Sequence, residues 1–179
     1  ELPSEYAFGL QISNLGTKIS YSDNMESAFL PANLRLGGRY TMNFDQFNSL
    51  SIMADVNKLL VPTPPVLDEN GDIYAGMDPN VGIVQGARQS FYDAPNGLKE
   101  EFQELTLSVG AEYWYNKILA VRAGYFYEAP NKGARQYLTL GAGLRYNVMG
   151  LDISYLISTA ALNNNPLKNT LRVSLSFDL

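Results

Sequence analysis

The chain is predicted to be all-β, a transmembrane, antiparallel, up-and-down β-barrel of which about nine strands are present. Three observations predict it. Apolar and polar residues alternate through short segments along nearly the whole chain, aromatic residues gather at segment ends, and tight connections take turns with long ones. Alternation with period two marks a strand that shows one face to an apolar medium.

The first segment sets Phe8, Leu10 and Ile12 against Ala7, Gly9, Gln11 and Ser13. Asn14-Leu15-Gly16 reads as a tight turn, and Lys18 to Ser22 as a short strand with Ile19 and Tyr21 on one face. A polar connection, SDNMESAFLP, leads to a segment in which Leu34, Leu36, Gly38, Tyr40 and Met42 oppose Asn33, Arg35, Gly37, Arg39 and Thr41. Asp45 to Asn48 forms a hairpin turn. Leu50, Ile52, Ala54 and Val56 then oppose Ser51, Met53, Asp55 and Asn57. After a long interruption, Leu105 to Tyr113 alternates with Glu104 to Glu112, and Asn116-Lys117 turns the chain. Leu119 to Tyr127, Leu138 to Tyr146, Leu151 to Ile157 and Leu171 to Leu179 supply four further apolar faces, with connections at Glu128, Val148 and Ala160. No segment keeps a helical period.

A soluble sandwich also alternates, and charges on its wet face are ordinary. The aromatic residues favour a membrane barrel instead. Tyr113-Trp114-Tyr115 closes one strand and Tyr125-Phe126-Tyr127 the next at the opposite rim, while Tyr40, Phe44 and Tyr146 fall at the first rim. Two aromatic girdles around a Leu/Val/Ala band mark an outer-membrane barrel. The tight connections then lie in the periplasm and the long ones outside the cell. An Arg facing lipid at mid-membrane costs about 2–4 kcal/mol, so turning Arg35, Arg39, Arg122, Arg145 and Arg172 outward would cost on the order of 10–20 kcal/mol. They are expected inside, in a charge lattice with Asp55, Glu104, Glu112 and Asp152. Nine strands ending in the periplasm would begin outside the cell. The expectation is therefore the carboxyl-terminal portion of a single larger barrel domain across residues 1–179; the opening on Glu1 without Met or a leader suits either a cleaved signal or a piece of something longer.

Residues 58–101 are the one long interruption, and they are expected to form an extracellular loop. Loops of such length are either functional or disordered, and this one is too apolar for a plain linker. Pro62, Pro64 and Pro65 stiffen its start, and Tyr74, Met77, Phe91 and Tyr92 are the expected partner-binding anchors, because interface cores favour aromatics and Met. The competing expectation is a lid folded back over the barrel mouth. LDENGD at Leu67 to Asp72 lacks the spacing of a calcium hand and is expected to be a turn.

Composition removes whole classes of activity. The chain has no His and no Cys, hence no imidazole base, thiol nucleophile or Cys/His zinc site. No catalytic residues, metal or cofactor are expected, and the chain is expected not to be an enzyme. A net charge of −5 without a basic, aromatic-interleaved run argues against a nucleic-acid partner.

The segments SNLGTKISY, LPANLRLGGRY, DVNKLLVPTPP and NPLKNTLRVSLSFDL, in this order, resemble the PorV group of fatty-acid-transporter-like outer-membrane barrels. The resemblance implies a barrel of about fourteen strands in the outer membrane of Bacteroidetes, working in type IX protein secretion without catalysis of its own. It also implies partners: the translocon barrel, secreted cargo recognised through its carboxyl-terminal domain, a sortase-like attachment complex, and outer-membrane lipid. A shuttle that carries cargo from translocon to attachment complex is the expected role. The alternative is an outer-membrane transporter of fatty acids or other hydrophobic small molecules, which the mostly charged or small lumen residues disfavour.

Overall fold

The computed structural model describes residues 3–20, 27–160 and 169–178. Eight strands form one antiparallel sheet: β1 (Glu5–Ser13), β2 (Asn33–Asn43), β3 (Asn48–Leu59), β6 (Leu105–Tyr115), β7 (Leu119–Tyr127), β8 (Gln136–Tyr146), β9 (Met149–Ser158) and β10 (Leu171–Phe177). Between β3 and β6 lie a small hairpin, β4 (Val66–Leu67) with β5 (Ile73–Ala75), and two short helices, α1 (Ile83–Gln89) and α2 (Leu98–Gln103). The strands neighbour one another in chain order, and the sheet is not closed: its edges are β1 and β10.

The apolar faces do not meet in a core. Among the described residues the buried hydrophobic side chains are Ala32, Leu60, Ala94, Ala120 and Ala129, whereas Leu36, Ile52, Val109, Val121, Leu140, Leu144, Ile153 and Val173 are exposed on their strands. A soluble sandwich buries that face. A contiguous apolar surface of this extent needs another medium to cover it, and lipid is the one that matches a barrel-like wall.

Two expectations change here. Of the strand expected over Lys18 to Ser22, the described residues 18–20 hold one bridge, Ile19 with Ala28, and no ladder. Eight strands pair in this sheet among the described residues, against about nine expected. The second change concerns helices. α1 and α2 span seven and six residues, at most two turns, too short to show a period in sequence. Tyr21 and Ser22 of that expected strand, residues 23–26 and 161–168 of the expected connections, and Leu179 lie outside the described residues.

Local chemistry explains the turns. Asn116 and Lys117 both adopt positive φ (52° and 54°), and Ile118 N–H returns to Tyr115 O at 3.0 Å, the geometry of a two-residue hairpin turn. Asp45 Oδ1 accepts from the N–H groups of Phe47 (2.7 Å) and Asn48 (2.8 Å), and its Oδ2 from Asn48 Nδ2. The Asn48 side chain, then the Phe47 N–H, holds the exposed Asp45 carboxyl below its usual range.

The chain divides into two compact units, residues 1–9, 37–56 and 107–179 in one, and 10–36 and 57–106 in the other. In the first, pairing registers Glu112 against Arg122, Arg122 against Gly141, and Gly143 against Asp152. The second holds the long loop.

Candidate functional site: the root of the long loop

Along β3, Ile52, Ala54 and Val56 are exposed and Met53, Asp55 and Asn57 are not, but Lys58 is buried and Leu59 exposed. The alternation of exposed and covered residues breaks at Lys58, which is buried where an exposed residue is due. Its ammonium donates to Glu101 Oε2 at 3.0 Å and Glu104 Oε2 at 2.6 Å. Thr63 joins the same group, its hydroxyl donating to Glu104 Oε1 (2.6 Å) and its N–H to Asp93 Oδ2 (3.0 Å). Ala94 N–H donates to Glu101 Oε1 at 2.8 Å. The end of β3, the approach to β6 and the middle of the loop are thus tied together at one ammonium.

Asp93 completes the cluster. The residue is 1% exposed, and its Oδ1 is a buried oxygen with no hydrogen-bond partner among the described residues. Burial pushes its carboxyl above the usual aspartate range; the Thr63 N–H opposes this, and the charges of Glu101 and Glu104 add to it. One oxygen each from Asp93, Glu101 and Glu104 lie within 4.8 Å of one another.

Around this root the loop has its own frame. Gly86 lets α1 approach closely, since a Cβ there would sit 2.9 Å from the Phe29 ring and 3.1 Å from Pro62. Gln89 and Ser90 are buried, Gln89 Nε2 donating to Asp78 O (2.9 Å) and Ser90 Oγ to Ala87 O (2.9 Å). Asp68 Oδ1 accepts from Asn70 and Asp72 N–H, both at 2.9 Å, so LDENGD is a hairpin turn satisfied by its own backbone.

The loop residues expected from sequence divide in two. Tyr74 is 80% exposed, Phe91 50% and Tyr92 51%, and Met77 and Pro64 are exposed as well. Pro62 is buried against α1 and Pro65 is half-buried beside Gly76, so both belong to the frame rather than to the outer surface.

The charged residues divide as well. Arg122 Nε donates to Glu112 and its Nη1 to Asp152 (2.6 Å), while Arg145 Nη2 reaches Asp152 at 2.8 Å. Trp114 lies under both guanidinium groups, 5.4 Å and 5.7 Å from its ring, and so faces the charges and not the girdle that its tyrosine neighbours form. Gly143 makes the space, for a Cβ there would meet Asp152 at 2.5 Å and Arg122 at 2.8 Å. Glu104, expected in this group, is instead engaged at the loop root. Arg35, Arg39, Asp55 and Arg172 enter no ion pair among the described residues, although the Asp55 carboxylate lies over Gly37. Sequence reasoning passed over Lys58, Thr63, Asp93 and Glu101. A signal for Lys58 was present: strict alternation puts it on the lipid face, where it costs about 2–4 kcal/mol.

An open antiparallel sheet with one apolar, exposed face and charges on the other is compatible with the wall of an outer-membrane β-barrel. Residues 2–66 match the family model described as type IX secretion system protein PorV. The match covers about a third of the chain, and the family is described as a protein of the type IX secretion system. No curated protein matches the chain.

Proposed function

We propose that this chain is a non-enzymatic outer-membrane component of type IX secretion that docks on the translocon and binds the carboxyl-terminal domain of secreted cargo, delivering it to the surface attachment complex. The observation that carries this is the pairing of a buried, ionically tied loop frame with exposed Tyr74, Phe91 and Tyr92. A held aromatic surface binds with little ordering cost, which is what a repeatedly loaded carrier requires. The family match over residues 2–66 supports the system to which the partner belongs. The open edges at β1 and β10 support reading the sheet as the carboxyl-terminal portion of a larger single barrel, since each unpaired backbone group in lipid costs several kcal/mol. On this reading the long loop is extracellular.

The test replaces Tyr74, Phe91 and Tyr92 together by Ser, leaving the frame intact. The variant inserts and shifts on heating like the parent, while co-purification of cargo and translocon from native membranes falls away. Unchanged co-purification with secretion intact would remove the loop surface from the mechanism.

A further inference from the structure

We propose that Asp93, Glu101 and Glu104 at the root of the loop bind one hard divalent cation, calcium or magnesium. Their carboxylate oxygens lie within 4.8 Å of one another. Asp93 Oδ1 is the buried side-chain oxygen left without a partner among the described residues, on a side chain 1% exposed. Proteins seldom leave such an atom unmatched without a reason.

Unused acceptor capacity leads to the same place. An ionised carboxylate offers about four lone-pair positions. The Lys58 and Ala94 donors occupy two on Glu101, and Thr63 N–H one on Asp93. The donors are all oxygen, which selects calcium or magnesium over softer metals. Asp68 is not the site: its carboxylate already serves the backbone of its own exposed turn. The cation would join loop middle, α2 and the approach to β6, adding to the Lys58 tie. This inference is independent of the secretion role, because it concerns binding by the purified chain.

The experiment titrates calcium chloride, and separately magnesium chloride, into the full chain in detergent after chelator treatment, followed by calorimetry. Terbium luminescence sensitised by Tyr92, next in sequence to Asp93, reports the location. One saturable site per chain is expected. Changing even an outer partner of a metal site costs about 10–100-fold in affinity, and Asp93→Asn, a ligand loss of nearly unchanged shape, is expected at the upper end. Lys58→Met is expected to tighten binding by removing the competing ammonium, an effect that a merely structural cluster would not produce. Asp68→Asn leaves binding unchanged. Absence of saturable binding by the parent chain, binding by Asp93→Asn equal to the parent, or loss in Asp68→Asn would each overturn the proposal.

Discussion

The sheet and the long loop each gather charged side chains, at different depths. In the sheet, Arg122 and Arg145 meet Glu112 and Asp152 on side chains between 21% and 30% exposed. At the loop root Lys58, 5% exposed, meets Glu101 and Glu104 beside Asp93. Redundancy separates them. In the sheet each carboxylate keeps some water and Asp152 has two cationic partners, so losing one charge leaves the rest served. At the root one ammonium holds the two ends of a long loop.

The largest break in that comparison is Lys58→Met in cation-free buffer. Removing one partner of a buried pair costs about 3–5 kcal/mol because the other charge is left uncompensated. Proteases should then cut the loop readily while the barrel keeps its heat-shifted mobility. Arg122→Met is the matching change in the sheet. Part-exposed groups left short of a partner cost about 1–3 kcal/mol, so its effect on barrel unfolding is expected to be smaller, and Asp152 still has Arg145. A loop that resists proteolysis after Lys58→Met would show that the frame, not the ion cluster, carries the tie.

A steric change sharpens the sheet side. Gly143→Ala drives a methyl into Asp152 and Arg122 and is expected to destabilise by about 1–3 kcal/mol, with Arg122→Met largely relieving it. Additive losses in the double variant would mean that the glycine serves the backbone alone.

The smallest effects separate two loops by the sign of their pH response. Glu128 and Arg135 close the β7–β8 connection, with Arg135 Nη2 2.7 Å from Glu128 Oε1. Burial alone would raise the Glu128 carboxyl, but the Arg135 side chain and N–H outweigh it and hold it below the usual range. That stabilisation is present above the ordinary glutamate value and is lost as pH falls through the lowered one. Asp93 runs the other way. Its raised carboxyl favours the folded loop below the ordinary aspartate value, and that contribution is lost as pH rises through the raised one. Amide exchange, corrected for intrinsic rate in chelator-treated protein, should show residues 128–135 loosening toward acid and residues 93–104 loosening toward neutral pH. A common direction in both would contradict the contrast.

Much of this protein is legible one segment at a time. Which residues of β6 to β10 form the exposed apolar face, where Asn116-Lys117 turns, and that Arg122 and Asp152 share a face all follow from a period-two pattern and local turn chemistry. Those rules act between near neighbours along the chain. α1 and α2 escaped because two turns leave no period, and Lys18 to Ser22 read as a strand because a short apolar pair resembles one whether or not a ladder forms. The loop root was decided by tertiary structure alone. Lys58 and Glu104 stand 46 residues apart, and the lysine is buried where the alternation of the strand would leave it exposed. No local period encodes such a meeting. It exists because a buried ammonium must find its carboxylates wherever the folded chain brings them.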